Sequence, residues 1–550
     1  MYEGEKMTIR INNIILDIEE DILSLKKKTA DKLRISEDSI KEFRILKESI
    51  DARKKDIIKF NYAVEVDAEK EESLVNRLHN RDVILEKEFN EDSLEFGNQK
   101  LEHRPVVVGM GPSGMFAALL LARNGYRPLV IERGEKVEDR TKSVESFWKT
   151  GVLNTESNVQ FGEGGAGTFS DGKLTTRIKD KRCEYVVNEF VGFGAPKEIA
   201  YSGKPHIGTD ILKGVVKNLR EDIISLGGEV KFNSKLEQLV IKDGKLKAII
   251  VNGDEIPCEA LIMAIGHSSR DTYEMLHNNN VFMEAKPFAI GVRVEHLQHM
   301  INENQYGKYA NHPRLKAADY RLTYSSKDTG RSIYSFCMCP GGEVVAAASE
   351  NGRLVTNGMS NYKRDSENAN SALVVTVGPE DFKNESHKFG KKFENSYPLL
   401  GMEMQRFYEE LAFNVGGGNF SAPIQLMGDF LKDNVSNKIG NVKPSYRPGY
   451  EFAALNKCLP DYVVDALKDG ITNFDRKIKG FGDYDNILTG IETRTSAPVK
   501  IIRNDQMQSI SVNGLYPSGE GAGFAGGIVS AAVDGLKCAE SIIKKYKKMN

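Results

Sequence analysis

Residues 105–119 read Pro105-Val106-Val107-Val108-Gly109-Met110-Gly111-Pro112-Ser113-Gly114-Met115-Phe116-Ala117-Ala118-Leu119: an apolar run, three glycines, then a small-residue stretch. That order specifies a strand, a tight turn and a helix start in one place. Gly109 permits the turn, Gly111 lets backbone approach a pyrophosphate, and Gly114 brings the helix close to the strand. The helix start, with Pro112 and Ser113 in its first turn, is left aimed at phosphates. The next strand, Pro128-Leu129-Val130-Ile131, ends in Glu132 and Arg133, and a carboxylate about 20 residues past the glycines is placed to bind ribose hydroxyls. The stretch predicts a dinucleotide cradle in a doubly wound α/β fold.

The C-terminal segment Gly514-Leu515-Tyr516-Pro517-Ser518-Gly519-Glu520-Gly521-Ala522-Gly523 reads as strand and small-residue turn, followed by a helix from Ala525 to Ile543 that begins with Gly526, Gly527 and Ile528. A nicotinamide cofactor does not require this second cradle; an extended FAD does. A turn carboxylate, Glu520, accepts a hydrogen bond from the ribityl chain, and the helix start faces the pyrimidine edge of the flavin, where negative charge collects on reduction. A third stretch, Phe161 to Leu174, holds Gly164, Gly165, Ala166, Gly167 and Thr168. Its glycine density suits backbone lying against a flat ring, with Ser170 or Lys173 donating to flavin or substrate.

A chain of 550 residues calls for about three domains. With 40% hydrophobic and 28% charged residues and no long apolar run, the composition is that of a soluble globular protein, and the acid-rich first residues lack a signal core, so a cytoplasmic location is expected. A net charge of −2 gives no electrostatic case for nucleic acid or membrane partners. The six cysteines show no metal-ligand spacing. Residues 1–100 form a small α+β module, with alternation at Met7–Ile11 and Phe60–Val66 around a helical stretch from Ile22 to Leu33. Lys26-Lys27-Lys28 and Arg53-Lys54-Lys55 invite an RNA reading, but 19 basic and 24 acidic residues in that module have the wrong balance. Residues 88–103 read as a linker. Beyond it, 101–285 and 496–550 are the two parts of the cofactor domain, and 286–495 an inserted substrate domain. Strands at Glu229–Phe232, Leu236–Lys242, Lys245–Val251 and Ile256–Ile265 suggest a meander crossover. Gly416-Gly417-Gly418 lacks the strand and helix of a second fingerprint and reads as a loop.

These segments, with Leu261–Ser269, Phe336-Cys337-Met338-Cys339-Pro340-Gly341-Gly342 and Gly358–Tyr362, resemble the bacterial FAD-dependent dehydrogenases of the glutathione-reductase-type superfamily. The resemblance runs nearly the whole chain. It implies bound FAD and a redox reaction, with no substrate assigned. Glu520 departs from the aspartate many relatives carry.

The combined expectation is a three-layer ββα Rossmann-like FAD-binding domain, an inserted substrate domain and an N-terminal α+β module. FAD would be non-covalent, with NAD(P)H a candidate reductant and a small molecule as substrate. Hydride would pass through flavin N5. His267 follows Gly266 at a strand tip, where doubly wound sheets place ligands, and suits proton transfer or closure of the turn. Arg293 and Arg494 suit a substrate carboxylate held bidentately, with a surface or ion-pair role the favoured reading for each. Cys337 and Cys339 alternate on a strand with both thiols on one face; buried packing beside the turn is the favoured reading and a dithiol relay to flavin the other. Two further alternatives are a flavin monooxygenase with a single dinucleotide domain and a flavin-bearing sensor whose N-terminal module docks a partner.

Overall fold

Val106–Val108 forms the centre of a five-stranded parallel sheet in the computed structural model, which describes residues 7–69, 71–87, 94–389 and 397–549. Across the sheet the strands run Leu515–Pro517, Leu261–Met263, Val106–Val108, Leu129–Ile131 and Glu229–Lys231. Numbered in chain order and read from the Glu229–Lys231 edge, that is 3-2-1-4-5, the doubly wound arrangement whose ligand crevice opens where the order reverses, beside the first strand. Val106, Val107 and Leu261 are fully buried, as strands covered by helices on both faces must be. Helix Pro112–Arg123 packs on one face against helix Ile528–Lys545. A three-stranded antiparallel sheet, Asp254–Pro257, Lys245–Val251 and Leu236–Lys242, forms the crossover layer. The architecture is α/β and Rossmann-like.

Three details differ from the sequence expectation. Glu229–Lys231 belongs to the parallel sheet, not to the meander. The single strand expected over Ile256–Ile265 is two, Asp254–Pro257 and Leu261–Met263, because Pro257 has no N–H with which to continue a ladder. The C-terminal helix begins at Ile528, not Ala525: Gly526 and Gly527 stay outside it, glycine being about 1 kcal/mol worse than alanine in a helix interior.

The same unit carries a seven-stranded sheet, in the order Thr323–Ser325, Ser332–Cys339, Asn368–Val377, Phe288–Leu297, Ile487–Glu492, Ala422–Leu426 and Tyr450–Phe452. Gly416–Gly418 lies in turns after helix Leu400–Val415. Among the described residues no helix is long and apolar enough to cross a membrane.

A second unit comprises the described residues before position 94 with Pro196–Pro205 and Asn302–Ala318. Its antiparallel sheet has the order Ile40–Asp51, Lys59–Ala68, Met7–Asp17, Val83–Lys87, with helices Ser24–Leu33 and Glu71–Leu78 in the connections. That is the split βαβ of ferredoxin-like domains. Alternate residues Ile9, Ile11, Val64 and Val66 fill its core. Arg314 stacks on the Phe60 ring at 4.2 Å and donates to Ile18 O at 2.9 Å. Of the expected linker, residues 88–93 lie outside the described residues.

Candidate functional site

A cavity of about 410 Å³ opens at the crevice of the parallel sheet. Its wall takes Gly109, Gly111, Pro112 and Ser113 from the first turn, Glu132 and Arg133 from the second strand tip, and Gly165, Ala166, Gly167 and Lys173 from the glycine-rich loop. It takes Gly266 and His267 from the Leu261–Met263 strand tip, Arg494, and Glu520, Gly526, Gly527 and Ile528 from the C-terminal segment. Segments distant in sequence thus meet on one surface.

The glycines divide into two kinds. A methyl group added at Gly111 would meet only the Gly165 Cα, at 3.7 Å, and at Gly266 or Gly526 it would meet nothing within 4 Å. Bare backbone therefore faces the cavity at these positions. Gly114 does not line the cavity; its added methyl would overlap the Gly109 carbonyl oxygen, so this glycine sets the helix-to-strand contact. Gly164 and Thr168 also stand behind the wall, Gly164 donating to Met110 O at 2.7 Å and the Thr168 carbonyl accepting from Thr209 Oγ1 at 2.5 Å. Gly519 is likewise withdrawn, its N–H donating to Asp534 Oδ2 at 2.7 Å.

Glu132 accepts three backbone N–H groups, from Met110 at 2.7 Å, Gly134 at 2.9 Å and Gly162 at 3.0 Å. A carboxylate has about four lone-pair sites, so one place remains for a ligand hydroxyl. Arg133 is clamped by Asp271 and Glu156 and stacks on Phe161 at 4.2 Å. Lys173 Nζ donates to Met338 O.

His267 stands half-buried on the wall, with Ser268 Oγ 3.0 Å from its Nδ1. Burial, followed by the charges of Arg494 and Arg270, pushes its imidazole down to about 3; the ring is neutral near pH 7. Arg494 pairs with Glu409 at 2.9 and 3.1 Å and donates to Ser349 Oγ at 2.5 Å. Glu409, fully buried, also accepts from Arg270 at 2.6 and 2.8 Å and from Thr493 Oγ1 at 2.6 Å. Arg293 does not reach the cavity. It is fully buried, with Glu492 taking it at 3.0 and 3.1 Å and Asn370 Oδ1 at 2.8 Å, which leaves it no donor geometry for a substrate carboxylate.

Sequence reasoning missed Gln160, Asn357 and Thr495, polar side chains on the wall. None stands in a motif, and only the tertiary fold brings them in.

Glu520 is half-buried on the wall; burial pushes its carboxyl up to about 7 against the pull of Lys286. Folding therefore favours the protonated form. This contribution is complete below the ordinary 4.5 and is lost as pH rises through about 7. Glu520→Gln, uncharged throughout, is expected to gain on the order of 2 kcal/mol over the parent above about pH 8 and nothing below the ordinary 4.5. Urea unfolding across pH checks this; a pH-independent difference contradicts it.

Residues 287–495 match a family model described as FAD-dependent protein, C-terminal domain-like, and residues 8–67 a domain of unknown function, DUF8436. An uncharacterized protein of Clostridium beijerinckii is 63% identical over 540 residues, covering 98% of this chain and 99% of its own. The chain belongs to that protein's family. Thiamine thiazole synthase of Thermotoga maritima is 24% identical over 173 residues, 31% of this chain and 56% of its own. Among solved structures, a geranylgeranyl bacteriochlorophyll reductase-like protein of Thermoplasma acidophilum aligns at 12% identity and TM-score 0.33, over 80% of this chain and 77% of its own. E. coli quinol fumarate reductase aligns at 10% and 0.34, over 81% and 70%. The fold assignment rests on strand order.

Proposed function

We propose that the chain is an FAD-dependent oxidoreductase that holds FAD non-covalently in the cavity and exchanges electrons with a small molecule, with NADH or NADPH as reductant. The observation that carries this is the one cavity whose wall joins bare backbone at Gly111 to bare backbone at Gly526 and Gly527, each beside the start of a long helix. The FAD-dependent description of the model matched by residues 287–495 supports it.

The start of helix Pro112–Arg123 would hold the pyrophosphate, the remaining lone pair of Glu132 a ribose hydroxyl, Glu520 the ribityl chain, and the start of helix Ile528–Lys545 the pyrimidine edge. FAD, when bound, supplies hydride transfer at N5. The chain's own groups orient the reactant and manage protons. Arg494, fixed by Glu409, presents positive charge to an anionic substrate. His267, neutral and fixed at Nδ1, exchanges a proton at Nε2.

The parent protein is expected to purify yellow, to release FAD on denaturation, and to bleach anaerobically with NADH or NADPH. Folded protein that stays colourless and refuses added FAD overturns the proposal. Gly111→Leu places its side chain in the cavity and is expected to keep the fold while losing most of the flavin, read as the ratio of flavin to protein absorbance. Full occupancy in that variant removes the pyrophosphate from this turn.

A further inference from the structure

We propose that Cys337 and Cys339 form a redox-active thiol pair on the cavity wall, Cys337 exchanging with low-molecular-weight disulfides and Cys339 resolving the product. This goes beyond the flavin proposal and does not rest on it.

Regular alternation puts both thiols on one face of strand Ser332–Cys339. The structure departs from that. Phe336 pairs with Ala372 and Cys339 with Asn370, so three steps on one strand face two on the other, the signature of a β-bulge. Released from the ladder, Cys337 adopts a φ of 44°, a left-handed conformation that non-glycine residues rarely hold and that clusters at functional sites. Its side chain stands half-buried on the cavity wall, whereas Cys339 is fully buried behind it.

The two residues remain in contact: Cys339 Sγ donates to Cys337 O at 3.4 Å. Two cations grip the bulge by its carbonyls: Arg293 donates to Cys337 O at 3.1 Å and Lys173 to Met338 O. Facing Cys337 with them are the carboxyls of Glu492 and Glu520. The neighbouring Cys339 side chain, then the charges of Arg293 and Lys173, hold the Cys337 thiol below its ordinary range against burial, while Cys339 is raised. The cysteine on the cavity wall thus ionises the more readily and its buried neighbour holds its proton the more tightly, the division of labour of an exchanging pair.

The chemistry balances without another component. Cys337 thiolate attacks one sulfur of the small disulfide, whose S–S bond breaks; the departing thiolate takes a proton from solvent. Cys339 then gives its proton to solvent and attacks Cys337 Sγ, expelling the second small thiolate. Two protein thiols are oxidised to a disulfide, and one small disulfide is reduced to two thiols.

The test uses the full chain equilibrated in mixtures of reduced and oxidised glutathione, acid-quenched and alkylated. Trypsin releases Ser332–Arg353, which carries Cys337 and Cys339 and no other cysteine. As the mixture becomes oxidising, this peptide is expected to lose both alkyl groups together and to appear lighter by two hydrogens, without bound glutathione. Cys339→Ser is expected to trap one glutathione on Cys337, and Cys337→Ser to stay alkylated at Cys339. A wild-type peptide that stays doubly alkylated in fully oxidised glutathione, or that keeps a stable glutathione adduct, overturns the proposal whether or not the variants fold.

Discussion

Gly114→Ala is expected to destabilise the sheet-bearing unit by about 3 kcal/mol, a large effect for one methyl group. The added carbon overlaps the Gly109 carbonyl oxygen and lies 3.3 Å from Val107 Cγ1. Both neighbours belong to the central strand and its turn, and neither is the flexible end of a side chain. The helix must lift off the strand, and helix Ile528–Lys545, packed closely alongside it with Gly535 against the Ser113 backbone, must adjust. Gly111→Ala is the control: its φ of −81° suits alanine and its new methyl enters the cavity. A change within about 0.5 kcal/mol is expected there. Denaturant midpoints for the two variants check the contrast, and equal midpoints contradict it.

Glu409→Ala is expected to cost about 3–5 kcal/mol. The substitution leaves Arg270 and Arg494 sharing a buried site without the carboxylate that both grip. Arg270 keeps Glu350 at 2.5 Å, but Arg494 loses its carboxylate partner. Burial opposes ionisation of Glu409, and the two guanidiniums overcome it, holding its carboxyl far below the ordinary 4.5. Its contribution is therefore present above about 4.5 and is lost as pH falls toward the depressed value. The cost is expected in full at pH 7 and to shrink in strong acid. Glu350→Ala, whose side chain is 22% exposed, is expected to cost less. Equal costs for the two, or no cost at position 409, contradict the assignment.

The cradle was legible because its determinants are local: an apolar run, glycines at fixed offsets and small residues fit only one strand–turn–helix geometry. The parallel order of the sheet follows from the same logic at both ends of the chain. Arg293 was less legible. A lone arginine in an apolar strand signals a constraint without naming its partner, and Glu492 lies 199 positions away. Cys337 shows the same limit. Alternation assigns it a face, but a bulge depends on the register of the neighbouring strand, which no local pattern encodes. The boundary at Ile528 is hard to read because the small residues Ala525, Gly526 and Gly527 suit both a close-packed helix and the turn before one, and glycine favours the cap over the first turn.

The edge strand Leu515–Pro517 and helix Ile528–Lys545 are the last parts of the parallel-sheet layer in chain order. During translation, Leu261–Met263 therefore waits with one edge unpaired while most of the intervening sequence emerges. Until the segment beyond Leu515 has emerged, the cavity lacks the wall that Glu520, Gly526, Gly527 and Ile528 supply, so a nascent chain stalled short of position 515 carries the Gly109–Gly114 turn with nothing opposite it.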